Sequence, residues 1–206
     1  MKFIKITLFL FFGLSLTNCA SRYQTINPTS VNYVSKTETK GIQLEYRYSL
    51  LERKYSKKEI KKGVKVVAFK ITNHSDKDII FGDNVTFKYT NGEAVQVLET
   101  EQTFKTLKQQ SALYLLYLLL TPVNFYTSTT NSYGVEEQTS STPIGLVLGP
   151  GIAAGNVIQA SSANKKFKTE LQNYDLNGTV IKPGETKHGL IGIKSFHHDT
   201  LKLNVE

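Results

Sequence analysis

The polar and apolar positions of the chain follow two different rhythms. Ile42, Leu44, Tyr46, Tyr48 and Leu50 alternate with Gln43, Glu45, Arg47 and Ser49, a period of two that predicts a half-buried β-strand. Over 64–72, Val67, Phe69 and Ile71 share one face of a second predicted strand, and Asn73-His74-Ser75-Asp76 closes it with short polar side chains that hydrogen-bond a turn. Strands over 84–89 and 93–98 flank Asn91-Gly92, a hairpin signal of the type I′ kind. At the far end, strands over 178–182 and 188–194 flank the turn Lys182-Pro183-Gly184-Glu185. Leu201, Leu203 and Val205 alternate with Lys202, Asn204 and Glu206 in a closing strand. Between the first two strands, Arg53–Lys62 holds six basic residues around Glu59 and reads as a charged connection. Seven or so short strands separated by turns predict a mainly β protein, an antiparallel β-sandwich.

The second rhythm lies between these halves. From 109 to 164 the only charged residues are Glu136 and Glu137. Residues 112–120 are apolar apart from two tyrosine hydroxyls, and 144–160 are apolar with an interruption at Gly149-Pro150-Gly151. A Ser/Thr-rich loop over 127–142 joins them, and Lys105, Lys108, Lys165, Lys166 and Lys168 stand at the outer ends. This pattern predicts an apolar helical hairpin inserted into the sandwich at about 105–174, followed by a short amphipathic helix over 163–174 with Phe167 and Leu171 on its inner face. Three placements compete for the hairpin: folded back as a cover on the sheet, lying in a membrane surface, or crossing a bilayer. Crossing fares worst, because nine helical residues reach only about 14 Å against roughly 30 Å of hydrocarbon. The candidate membrane or partner contacts are Leu113, Tyr114, Leu116, Tyr117 and Leu120. Two small-xxx-small pairs, Gly145 with Gly149 and Gly151 with Gly155, join them.

The amino terminus changes the picture. Lys2 and Lys5 precede an apolar run over 3–16, which ends in Leu16-Thr17-Asn18-Cys19, and Cys19 is the only cysteine of the chain. The arrangement resembles the lipobox of bacterial lipoproteins, with Leu16 and Thr17 fitting the pattern and Asn18 standing where a small residue is usual. The resemblance implies that residues 1–18 are a signal peptide, and that Cys19 carries a diacylglycerol and an N-acyl chain. An ordinary signal peptide cut after Ala20 or Ser21 is the competing reading. Ala20 stands where an inner-membrane retention signal would place Asp, so the expected location is the outer membrane, facing the periplasm or the surface. Residues 20–40, rich in Ser, Thr, Asn and Gln, read as a tether lifting the folded part, 41–206, off the membrane.

Composition narrows the function. The chain has 206 residues and a formal charge of +8, which falls to +6 when Lys2 and Lys5 leave with the signal peptide. Outside the cytoplasm a basic surface of this size does not imply nucleic acid. With a single cysteine no disulfide forms within the chain, so burial holds the fold together. No G-x-S-x-G, H-E-x-x-H or Gly-rich phosphate loop is present. His197-His198-Asp199 with His188 makes an awkward metal set, because adjacent strand residues face opposite ways. Asn73-His74-Ser75, Asn84-Val85-Thr86 and Asn177-Gly178-Thr179 match the glycosylation pattern but read as turn residues.

The stretch Val64-Lys65-Val66-Val67-Ala68-Phe69-Lys70-Ile71-Thr72-Asn73, followed much later by Ile181-Lys182-Pro183-Gly184-Glu185-Thr186, resembles the uncharacterised immunoglobulin-like domains of bacterial lipoproteins. That resemblance covers about 41–98 and 177–206. It implies a fold and no activity, cofactor or metal. The expectation is a membrane-anchored, non-catalytic interaction or structural module of the cell envelope with a protein partner. The alternative is a carrier or sensor of a small hydrophobic ligand held between hairpin and sheet.

Overall fold

The computed structural model describes residues 19–206, so the signal peptide expected over 1–18, with the expected lipobox positions Leu16, Thr17 and Asn18, lies outside the described residues. The elements, in order, are β1 (Ser35–Thr39), β2 (Ile42–Arg47), α1 (Arg53–Lys62), β3 (Val64–Asn73), β4 (Ile79–Ile80), β5 (Val85–Tyr89), β6 (Val97–Leu98) and α2 (Thr100–Leu107). A 3₁₀ helix over Ser111–Leu120 follows, then β7 (Phe125–Thr130), β8 (Glu136–Thr142), α3 (Gly145–Asn173), β9 (Val180–Ile181), β10 (Thr186–Lys194) and β11 (Leu201–Val205). The chain divides into two compact units, a smaller one of residues up to Arg22 plus Gln109–Ser162, and a larger one of Tyr23–Lys108 plus Ala163–Glu206. Helix α3 contributes to both.

The larger unit is built on an antiparallel sheet of order β1-β2-β3-β10-β6. Its centre is the β3–β10 pair, which runs from Thr186 opposite Thr72 to Lys194 opposite Val64. One face of β3, with Val67, Phe69 and Ile71, packs against Ile79, Val85, Phe87, Ile181, Leu201 and Leu203 of the short ladders β4–β9 and β5–β11. The opposite face, Val64, Val66 and Ala68, packs against Tyr55 of α1, Leu107 of α2 and Phe167 and Leu171 of α3. A strand covered on both sides reads as a near-continuous apolar run, and β3 does so over 66–69, with Val64 and Ile71 on either side.

Over the described residues helix and strand occur in equal measure, and the fold is mixed where a mainly β protein was expected. Helices α1 and α2, neither of them expected, account for much of the difference. Arg53–Lys62, expected as a charged connection, is α1. Its lysines are good helix formers, Tyr55 and Glu59 sit four apart on its buried side, and Gly63 ends it in the left-handed region with its N–H donated to the Glu59 carbonyl. The tether expected over 20–40 is folded as well. Tyr23 and Ile26 are buried under the helical layer, Asn27 caps a 3₁₀ turn over Pro28–Ser30, and Ser35–Thr39 pairs with β2. Its few apolar residues are spaced too irregularly to show a period, yet Tyr23 and Ile26 are buried and Val31 and Tyr33 pack beside them, while Val34 stays exposed.

The turn at Asn91-Gly92 is also of another kind than expected. Only Gly92 has positive φ, Gly92 N–H donates to the Tyr89 carbonyl, and Tyr89 N–H donates to Glu93. This is a three-residue loop made of a type I turn and a left-handed glycine.

In the smaller unit the expected helical hairpin is replaced by three different elements. The first apolar segment is the 3₁₀ helix, the Ser/Thr-rich loop is the β7–β8 ribbon, and the second apolar segment is the first part of the 29-residue α3, which also absorbs the short helix expected over 163–174. The ribbon forms because Thr, Tyr and Phe favour extended backbone. Its turn is held by Asn131, whose side-chain oxygen accepts from the N–H groups of Tyr133 and Val135. Among the described residues no helix is long and apolar enough to cross a membrane.

Candidate functional site

Cys19 is exposed, and the chain is fastened immediately after it. Ala20 N–H donates to the Asn156 side-chain oxygen on α3. Ser21 and Gln109 are paired twice, Ser21 N–H to Gln109 Oε1 at 3.0 Å and Gln109 Nε2–H to the Ser21 carbonyl at 2.7 Å. Tyr114 also donates to Gln109 Oε1, at 3.5 Å. Gln109 is thereby the hub that ties the segment behind Cys19 to the start of the 3₁₀ helix.

The 3₁₀ geometry decides what that helix shows to its surroundings. With three residues per turn, positions three apart lie in one row. The row Ser111, Tyr114, Tyr117, Leu120 is the inner one, with Tyr114 buried and the others half-buried. The remaining two rows, Leu113, Leu115, Leu116, Leu118 and Leu119 with Ala112, are exposed, Leu119 to 73 %. An α-helix covers a similar stripe, but a strict period of three leaves two of every three residues outside. Burial pushes the Tyr117 phenol up, and the neighbouring Cys19 and Tyr114 push it further. The phenol therefore stands within electrostatic reach of the cysteine thiol.

The two glycine pairs divide. Gly145 and Gly149 let α3 approach the end of the 3₁₀ helix closely. A Cβ at Gly145 would run into the carbonyl oxygens of Leu120 and Thr121, and one at Gly149 would lie 3.0 Å from Thr121 N and 3.3 Å from the Tyr117 carbonyl oxygen. The Gly145 N–H donates to the Val123 carbonyl at 2.8 Å across the same seam. Gly151 and Gly155 face open space.

Of the nine contact candidates, Leu113 and Leu116 are exposed, while Tyr114, Tyr117, Leu120, Gly145 and Gly149 form the seam and Gly151 and Gly155 remain open. Leu115, Leu118, Leu119, Leu146, Val147 and Ile158 join the exposed apolar set without having been singled out from the sequence. A three-residue count along 111–120 would have found the first three of these.

The larger unit holds a cleft of about 420 Å³, lined by Phe87, Val95, Leu98, Leu171, Leu190 and Ile191 among others, with Glu99 and Asp175 at its polar side. Asp175 accepts from the Thr100 hydroxyl at 2.6 Å and from Asn177 N–H at 3.0 Å. Among the described residues no three His, Cys, Asp or Glu side chains gather as a metal set. His198 stacks on Tyr48 at 5.1 Å between ring centres, and His188 stands 6.4 Å from Tyr33, its pKa lowered by burial and by Lys70.

Thus the exposed cysteine, the residues that fix it and the exposed leucines belong to one unit, in which 109–162 carries no charge but Glu136 and Glu137. Neither a protein-family model, nor a curated protein, nor a solved structure matches this chain.

Proposed function

We propose that this chain is a lipid-anchored protein of the bacterial cell envelope, acylated on Cys19 by diacylglycerol and an N-acyl chain after removal of residues 1–18. In this reading it works at the outer membrane as a non-catalytic interaction or structural module. The observation that carries the reading is the absence of slack behind the cysteine. Ala20 and Ser21 are both hydrogen-bonded into a folded unit whose surface exposes five leucines of its 3₁₀ helix. One residue of extended chain spans about 3.5 Å, so acyl chains on Cys19 would draw that surface to the membrane rather than suspend the protein away from it. The resident chemistry is covalent lipid alone.

The larger unit then presents its surface to an envelope protein. Its antiparallel sheet and small facing ladders suit the immunoglobulin-like reading, in which sheet edges and loops meet a protein partner. The cleft favours a second reading, a carrier or sensor of a small hydrophobic ligand, because its volume lies within the range of small-molecule sites. The site in that reading is formed wholly within the larger unit.

The test is membrane fractionation with carbonate washing, comparing wild type with Cys19→Ala behind a cleavable secretion signal, alongside metabolic labelling with palmitate. Labelled wild type and unlabelled variant are expected. Unlabelled wild type overturns acylation. A lipid that co-purifies with the protein after delipidation of the anchor, and raises its melting temperature when added back, supports the carrier reading.

A further inference from the structure

We infer that the smaller unit docks on the bilayer through the two outer rows of its 3₁₀ helix and the adjoining first turns of α3, as a second, non-covalent anchor that reads hydrocarbon and not lipid charge. The inference rests on the acylation of Cys19 for its location, and on the following observations for its chemistry.

Five leucines of one ten-residue helix are exposed between 44 % and 73 %, and Leu146 and Val147 of α3 are exposed to 59 % and 75 %. Gly145 and Gly149 bring these two segments together at a seam of backbone contact, so their outward side chains adjoin. Monomeric soluble proteins rarely leave contiguous apolar surface of this kind in water. The occupant is fixed by where the chain leads. Cys19, first of the described residues, is exposed on this same unit, and the two residues after it are pinned to Asn156 and Gln109. Lipid on Cys19 therefore puts the leucine rows at the interface with no hinge between.

Charge separates this docking from the commoner basic kind. Residues 109–162 contain no lysine or arginine, and their two acids, Glu136 and Glu137, lie on the exposed strand β8. Arg22, exposed three residues after Cys19, is the one cation of the smaller unit among the described residues, and the basic surplus lies in the larger unit. An interfacial helix that relies on anionic lipid carries Lys and Arg on its polar face, and this one has none. Its attachment must come from apolar burial, which salt does not screen.

The protein contains no tryptophan, so Leu116→Trp gives a reporter free of background. Full-length mature protein carrying Cys19→Ala and Leu116→Trp is mixed with vesicles of phosphatidylcholine alone and of phosphatidylcholine with phosphatidylglycerol, and both sedimentation and emission are followed. Expected are a blue shift with both vesicles, quenching by brominated acyl chains, and a partition coefficient unchanged within about twofold between low and high salt. Replacing Leu113, Leu115 and Leu119 by Ser lowers that coefficient by roughly tenfold or more, and an unchanged circular dichroism melt shows that the variant still folds. No partition into either vesicle overturns the inference. Partition that needs phosphatidylglycerol and vanishes with salt overturns it too, since the basic unit would then be the contact. None of these readings depends on acylation, so loss of palmitate labelling and loss of vesicle binding report different failures.

Discussion

Strand β3 and the 3₁₀ helix are both rich in apolar residues, and they meet opposite fates. β3 is covered by the short ladders on one face and by helices on the other, and Val66, Val67, Ala68, Phe69 and Ile71 are all excluded from water. The 3₁₀ helix buries Tyr114 and half-buries Tyr117 and Leu120, leaving five leucines outside. The difference teaches that apolar density states a need to leave water without naming the second solvent. β3 finds that solvent in its own fold, while the leucine rows of Ser111–Leu120 are left facing outward beside Cys19. Period is what tells them apart. Alternation by two presents both faces to two layers of protein, whereas a row of three offers the protein only one side.

The largest expected effect tests the closed half of this comparison. Phe167 is fully buried, with ring centres of Tyr55 at 5.1 Å, Tyr23 at 5.2 Å and Phe104 at 6.2 Å. Phe167→Ala opens a cavity in a packed aromatic cluster and should cost about 3–5 kcal/mol in urea unfolding. A loss under about 1 kcal/mol would mean that α3 does not seal the sheet, and β3 would then be half-exposed like its counterpart.

The sheet was the legible part of the fold. The run of β3 and the closing strand β11 appear where their patterns place them, and the alternation over 42–50 becomes β2 only as far as Arg47. The strand expected over 93–98 shortens to Val97–Leu98 and pairs with β10, not with β5. What stayed hidden had no period to show. Tyr23 and Ile26 are isolated apolar residues in a polar stretch, and only the helical layer that receives them makes them core. Helix α1 shows just two buried positions among lysines, one of them a glutamate. The β7–β8 ribbon was masked by its hydroxyl side chains, which read equally as loop. At the candidate site, Cys19 was visible from the sequence alone. The seam was half visible, since the glycine spacing was found but not which pair was used. Of the exposed rows Leu113 and Leu116 were picked out, and Leu115, Leu118 and Leu119 were missed because the segment was read as an α-helix.

Glu59 sets the next test, inside the larger unit. Its carboxyl is 3 % exposed and accepts the Val66 N–H at 2.7 Å. Burial pushes it up to about 7, against the opposing pull of that hydrogen bond and of Lys65. A carboxyl raised in the folded state stabilises fully below its unfolded value near 4.5, and that contribution is lost as pH rises through 7. The cost at alkaline pH is about 3 kcal/mol. Glu59→Gln keeps an acceptor for Val66 and cannot ionise. Thermal melts should show the variant gaining on wild type steadily from about pH 5 to about pH 8. Some common slope remains from Glu170, which burial raises in the same direction. Parallel curves for the two proteins would show that Glu59 is solvated, and that α1 covers β3 loosely.

The glycine pairs sharpen the comparison with effects of opposite sign along one helix. Gly145→Ala forces a methyl against the carbonyl oxygens of Leu120 and Thr121, which belong to backbone and cannot swing aside. Overpacking of this kind costs about 1–3 kcal/mol. Gly151→Ala meets nothing and sits within α3, where alanine is favoured over glycine by roughly 0.5–1 kcal/mol. Hydrogen exchange of the Gly145 amide, bonded to Val123, should speed up in the first variant and hold in the second. Equal effects from both would remove the seam, and with it the reason for the leucine rows to adjoin α3.

The smallest effect on stability tests the open half. Leu119→Ser replaces the most exposed leucine of the 3₁₀ helix and should change the unfolding free energy by no more than about 0.5 kcal/mol, as surface substitutions do. The same change in β3, for example Ile71→Ser, places a hydroxyl without a partner where exposure is 0 % and should cost several-fold more. The contrast is decisive because the run that holds Leu119 is the more apolar of the two, so composition alone would predict the larger loss there. A loss above about 1 kcal/mol at Leu119 would show that the outer rows are already packed in the free protein. In that case the apolar surface would be core, and no membrane would be needed to account for it.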